Sequence, residues 1–356
     1  MCDHATIGNV PAEGAPAPLS VLGKLGRKKS AGAALTATVN TVLGPIESRL
    51  LGVTLVRESL LYVLPGAQYA YDIRIDRAEV FDRLAAKLTQ FKAAGGGTLV
   101  DATGMFEGRD LRLYEALARA TGVHIVASTG QGPEAMLGGY FLTPQTNPPT
   151  PWPAERFAEL FAREVAEGMV VPRFERRAPA GLVATAVSIG GMTPTDGSLV
   201  RGASVAAAAT GTALLISCGS VAPAELQLAV GEGIAVDRVV IGDLDRRDAV
   251  AAGWPGHIAA AGAWLAIDHV GSADARYLSD AERVSLVKQL VEAGHGKRIV
   301  LSSAANAVAF GVPGNDLPFS ALLTRFVPML RDAGVSESAI RQMLVGNPAD
   351  LLSVRE

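Results

Sequence analysis

The 356-residue sequence predicts an α/β chain folded as a (β/α)8 barrel. Three observations carry this. After residue ~35, short apolar, β-branched runs alternate with longer stretches of helical period. Eight such runs can be counted. Within them the apolar residues are nearly continuous rather than alternating, which marks strands covered on both faces, as in a parallel sheet. Eight strand–helix units over ~320 residues fit a closed barrel. An open doubly wound sheet normally carries a glycine-rich phosphate loop after its first strand, and "VTLVRESLL" has none.

The eight runs are "LGVTLV" near 52–56, "GTLVDAT" at 97–103, "HIVASTG" at 124–130, "AGLVATAVS" at 180–188, "TALLISCG" at 212–219, "RVVIGDLD" at 238–245, "AWLAIDHVG" at 263–271 and "RIVLSSAA" at 298–305. Between them, "RAEVFDRLAAKLTQFKAAG" has helical spacing and stops at a glycine. "PAERFAELFAREVAEGM" starts at a proline, and "DAERVSLVKQLVEAG" starts on acidic residues. "SESAIRQMLVGNPADLLS" reads as the closing helix, with Ser336 as N-cap and a break at Asn347–Pro348. The proline-rich stretch from Tyr140 to Phe157 is long for a strand–helix connection and is expected to cover the barrel mouth. Residues 1–34 read as a flexible tail, and 35–356 as a single barrel domain.

Bulk numbers exclude several function classes. Hydrophobic residues make up 49% of the chain, which argues for a buried core and against disorder. A net charge of −3 gives no basic field for nucleic acid. No apolar run is long enough to span a membrane. Two cysteines, Cys2 and Cys218, cannot build a disulfide framework, and the cytoplasm is the expected compartment.

In such barrels chemistry sits at the C-terminal ends of the strands. The residues expected there include Arg57, Glu58 and Ser59 from the first strand, Asp101 from the second, Ala184 from the fourth and Ser217 and Cys218 from the fifth. The sixth supplies Asp243 and Asp245, the seventh Asp268 and His269, and the eighth Ser302, Ser303 and Ala304.

These stretches, with "TVLGPIESRLLGVTL", "DATGMFEGRDLRLYEALARATGVHIVASTG" and "LLTRFVPMLRDAGVSESAIRQMLVGNPADLLS", resemble the phosphotriesterase family of the amidohydrolase superfamily over nearly the whole chain. The resemblance implies an amidohydrolase-like barrel, a dimer and a binuclear zinc centre. That centre takes two histidines from strand one, a carboxylated lysine from strand four and one histidine each from strands five and six. An aspartate from strand eight completes it. Carried over, those positions fall on Arg57 and Ser59 (with Glu58 between them), Ala184, Ser217, Asp243 and Ala304. Only Asp243 is a usable ligand.

The expectation is therefore a catalytically inactive member that binds no metal cofactor. It would take a small-molecule ligand, or pair as a homodimer or as a heterodimer with an active paralogue. Arg57 is expected to pair with Asp243 or Glu58 and fill the space of the metals. The alternative is a hydrolase of esters, lactones or phosphotriesters that works without the family's centre or with one relocated ion. Its catalytic candidates are His269, Asp243 and Glu58. Cys218, with His269 at the mouth, ranks lower as a nucleophile because a buried, unreactive cysteine is the commoner case. Ser217 and Ser303 rank lower because no base or strand–turn elbow accompanies them.

Overall fold

The computed structural model describes residues 37–137, 142–143, 150–171 and 175–355. The N-terminal tail, and residues 140–141 and 144–149 of the stretch expected to cover the mouth, lie outside the described residues.

The barrel strands are β1 (Val53–Val63), β2 (Gly96–Asp101), β3 (His124–Thr129), β4 (Leu182–Ala186), β5 (Leu214–Ser217), β6 (Val239–Gly242), β7 (Trp264–Ile267), β8 (Ile299–Leu301) and β9 (Asn306–Phe310). All pair in parallel, in chain order, from β1 to β8. The ring closes through β9, which lies beside β1 with Asn306 opposite Ser59 and Phe310 opposite Val63. The eighth apolar run is thus split: β8 pairs with β7, and β9 pairs with β1.

This split corrects one expectation. Arg57, Glu58 and Ser59 are not at the end of the first strand. They lie in its middle, because pairing with β9 continues the strand to Val63. A register shift between Leu55 and Glu58, where β1 meets β2, marks the place. Such a shift re-aims side chains at the rim of a barrel.

Helices cover the outside: α1 (Arg77–Ala93), α2 (Leu111–Thr121), α3 (Ala154–Ala166), α4 (Pro194–Thr210), α5 (Ala222–Gly231), α6 (Arg247–Ala251), α7 (Trp254–Ala260) and α8 (Asp280–Glu292). Their starts follow capping chemistry. The Asp76 side chain accepts from the backbone N–H groups of Ala78 and Glu79, and Ser279 and Glu282 form a reciprocal capping box. Ser336 caps the C-terminal helical run as expected. The expected break at Asn347–Pro348 does not occur. A π turn over Gln342–Gly346 leads directly into the helix Asn347–Leu352, so the proline sits at the start of a new segment where its missing N–H costs little.

Inside the barrel, Val56, Val100, Val126, Leu182, Leu215 and Val300 pack with Val240 and Trp264 into one apolar plug. A hairpin not foreseen from the sequence, Thr38–Thr41 with Gly44–Glu47, closes the strands' N-terminal end. Its Val42 N–H donates to the Ile125 carbonyl, and the Asn40 side-chain amide to Ala180. Beside it, buried Arg238 donates to the carbonyls of Gly211, Leu351 and Ser353, which ties the C-terminal helix to the barrel floor. With that end sealed, polar side chains collect at the other.

Candidate functional site

The centre of the mouth is an ion network. Arg57 Nη2 lies 3.1 Å from Asp243 Oδ2, and Nη1 lies 2.9 Å from Asp268 Oδ2. The guanidinium joins the ends of β6 and β7. The expected pairing with Asp243 is present; the alternative with Glu58 is not, and Asp268 takes that second place. Burial works against the charge on Arg57, but Asp243 and Asp268 outweigh it and hold the cation firmly.

His269 completes the cluster. Its Nδ1 lies 3.1 Å from Asp268 and 3.2 Å from Asp245, and Nε2 lies 3.4 Å from Asp243. Its ring stacks on Tyr277 with centroids 3.5 Å apart, and the Tyr277 hydroxyl donates to Asp243 Oδ1 at 3.0 Å. Burial alone would lower the imidazole pKa, but hydrogen bonds to Asp245 and Asp268 raise it to about 9. On the far side, Arg283 is fully buried and its Nε meets Asp245 at 2.6 Å. The carboxylates Asp243, Asp245 and Asp268 therefore face three cations: Arg57, Arg283 and protonated His269. Low-dielectric surroundings demand such a balance.

A pH effect follows. The folded pKa of His269 lies above the unfolded value near 6.5, so its stabilisation is complete below about pH 6.5. It fades as pH rises through about 9. In metal-free buffer the protein should lose up to about 3 kcal/mol across that window. Urea denaturation at both ends would show it, and His269→Gln should flatten the slope.

Gly242, the last residue of β6, was not singled out from the sequence. A Cβ there would stand 2.9 Å from Asp268 Oδ2 and 3.7 Å from Arg57 Nη1. The strand ends in glycine because the guanidinium bridge needs that space. Gly242→Ala should cost about 1–3 kcal/mol, as over-packing does, measurable by chemical denaturation.

The other positions carried over from the resemblance offer no histidine or carboxylate to a second ion. Ser59 Oγ is hydrogen-bonded to Thr103 Oγ1 at 2.9 Å. Ala184 is part of the apolar plug. Ser217 is the last residue of β5, opposite Gly242. Ala304 sits in the break between β8 and β9 with φ of 45°, and Asp243 turns the chain after β6 with φ of 59°. A left-handed alanine is costly, and its surroundings must hold it there.

What holds it is Glu58. Its Oε1 accepts from the Ser302 hydroxyl and the Ser303 N–H, both at 2.8 Å, and its Oε2 accepts from the Ala305 N–H at 2.7 Å. Burial, offset by these donors, still raises its pKa to about 7. Glu58 was expected among the catalytic candidates; the structure instead engages both its oxygens in bracing the strand break. Asp101 likewise accepts from the Leu60 N–H and the Tyr114 hydroxyl. The Cys218 thiol is pushed far up by burial and by Glu225, which leaves no thiolate for attack.

The expectation of no metal cofactor needs correction. Asp243, Asp268 and His269 each offer one ligand atom, and these atoms lie within 4.8 Å of one another. Two carboxylates and an imidazole suit one divalent ion. They do not suit the family's pair, because among the carried-over positions only Asp243 offers a donor of that kind. One ion would have to displace the Arg57 guanidinium and the His269 proton. Asp268 was not among the ligand positions that the resemblance implied. Its role appears only when β6 and β7 are placed side by side.

Comparison with known proteins agrees with this barrel. The model of the phosphotriesterase family matches residues 37–352. A phosphotriesterase homology protein of Mycobacterium tuberculosis is 27% identical over 87% of this chain and 96% of its own. An aryldialkylphosphatase of Saccharolobus solfataricus is 23% identical over 86% of this chain and 97% of its own. The crystal structure of a mutant phosphotriesterase-like lactonase from Deinococcus radiodurans superimposes with a TM-score of 0.78 at 26% identity, covering 89% of this chain and all of that one. The match spans both the barrel and its mouth, and on it the chain belongs to the phosphotriesterase family.

Proposed function

We propose that this protein is a non-hydrolytic member of the family whose barrel mouth binds a small molecule. One observation carries the reading: the chain's own Arg57 guanidinium is bound between Asp243 and Asp268. Hydrolysis in the resemblance rests on two ions that together make a hydroxide nucleophile. Here four of the six positions that would hold them carry serine or alanine, and a fifth is Arg57 itself. What remains is a charge-balanced polar mouth, suited to binding. We propose further that the protein is cytoplasmic and dimeric, with itself or with an active relative; sedimentation of the purified chain tests the first pairing. No described helix is long and apolar enough to cross a membrane.

A second reading is favoured by the Asp243–Asp268–His269 set: a hydrolase of lactones, esters or phosphotriesters with one ion. An ion there would act as a Lewis acid on a ligand oxygen. The residues of this chain would supply the rest, with Asp243, Asp268 and His269 as ligands and the Tyr277 hydroxyl holding a proton on Asp243.

Elemental analysis and a substrate panel separate the two readings. The protein is loaded in turn with zinc, manganese and cobalt, then offered a lactone, a carboxylic ester and a phosphotriester. The first reading expects no turnover above the blank with any ion. Turnover that saturates at one ion per chain and disappears in Asp268→Asn would sink it and establish the second.

A further inference from the structure

The wall of the mouth contains a carboxyl group that the ion network does not use. Glu107 lies in the loop between β2 and α2. Its backbone carbonyl accepts the Val63 N–H at 2.7 Å, which fixes it beside the last residues of β1. The residue is only 8% exposed. Among the described residues no donor reaches its carboxyl oxygens. The neighbouring arginines are engaged elsewhere. Arg109 makes a two-pronged bond to Glu164, at 2.7 and 2.9 Å, and Arg77 pairs with Asp110. Burial alone pushes the Glu107 carboxyl up to about 8. A largely buried carboxyl with no protein donor is unfavourable to the fold by itself. Its oxygens are not wholly enclosed, so a ligand can reach and complete them.

Tyr62 stands next to it. Among the described residues its hydroxyl is hydrogen-bonded only to the Met136 sulfur, at 3.8 Å, which is a weak acceptor. Tyr62 immediately precedes Val63, whose N–H meets the Glu107 carbonyl, and burial with the nearby carboxyl raises the phenol to about 12. The group is separate from the ion network, since Tyr62 is five residues beyond Arg57, roughly 16 Å along an extended strand.

We infer that Glu107 and Tyr62 form a subsite for the ammonium group of a small organic cation. The available atoms select that class. A carboxylate, a phenolic oxygen and a thioether are all acceptors, and no free cation stands among them. An anionic ligand would meet repulsion, and an apolar one would leave the carboxyl unpaired. An ammonium supplies both N–H donors and the missing counter-charge, while the Tyr62 ring and Met136 sulfur give it a polarisable wall. This deepens, and rests on, the reading of the mouth as a small-molecule pocket. It does not depend on whether the ligand is hydrolysed.

Calorimetric titration of the full chain with n-butylammonium to n-octylammonium chlorides tests the subsite, with the matching alcohols as neutral controls. Binding at one site per chain is expected, at least about tenfold tighter for the ammonium than for its alcohol. Glu107→Gln should abolish that preference and leave the alcohol's affinity unchanged. Its thermal midpoint should equal or exceed that of the wild type, because a buried unpaired carboxyl is removed, and this separates lost binding from lost fold. Tyr62→Phe should weaken the ammonium by about tenfold, the size of one hydrogen bond from a charged donor. Absence of ammonium binding by the wild type, or equal binding by Glu107→Gln, overturns the subsite. The hydrolysis panel is read independently, so a missing subsite leaves the non-hydrolytic reading standing.

Discussion

Replacing Arg57 with methionine is expected to destabilise the protein by about 3 kcal/mol, and a divalent ion is expected to restore most of that loss. Removing one partner from a buried ion pair typically costs 3–5 kcal/mol, because the other charge stays behind unpaired. Here the guanidinium has two partners, Asp243 and Asp268, but it is 18% exposed, so the lower end applies. Methionine keeps the length of the stem and fills part of the space. It leaves the two carboxylates facing each other beside His269, the three groups whose ligand atoms lie within 4.8 Å. An ion that binds only the folded variant would stabilise it by about 2.7 kcal/mol at a hundred times its Kd. Thermal denaturation of wild type and variant, each with and without zinc or manganese, measures both quantities. Arg57→Lys should fall between, since one ammonium cannot meet both carboxylates as a planar fork does. If Arg57→Met were as stable as the wild type and indifferent to ions, the guanidinium would not be the centre of the network.

Much of this network was legible in the sequence, and the unread part has a physical cause. Counting apolar runs finds the strand-end polar residues of a parallel barrel and puts Asp243, Asp268 and His269 at one rim, while charge matches Arg57 with Asp243 or Glu58, of which the structure forms the first. The run of β1 was cut short because nothing in "VTLVRESLLYV" says that a later segment will pair with its second half. That information lies in β9, more than 240 residues away. The sequence does not mark Asp268 as a ligand, because the resemblance gives that position no such role. Gly242 and Glu107 carry no sequence signal of their own. One is defined by the space a Cβ would fill and the other by the partners it lacks. Both are properties of packing.

Glu58→Gln should cost about 3 kcal/mol, and the reason distinguishes bracing from catalysis. The carboxylate faces donors on both oxygens: the Ser302 hydroxyl and Ser303 N–H on one, the Ala305 N–H on the other. Glutamine has one acceptor oxygen and one NH2. Whichever way the amide turns, an N–H donor meets an N–H donor, and a buried backbone group loses its partner, at about 1–3 kcal/mol for the orphan alone. The loss of a charge-assisted bond adds to it. The break between β8 and β9 depends on those bonds, and with it the left-handed turn at Ala304 and the register that brings Arg57 to Asp243 and Asp268. Hydrogen exchange at the amides of Ser303 and Ala305 should therefore accelerate along with the fall in stability. A purely catalytic Glu58 would behave in the opposite way: the glutamine variant would keep its stability and its amide protection and lose only turnover. Denaturation and exchange on one pair of proteins decide between these roles, and the two backbone N–H groups already held by the side chain favour bracing.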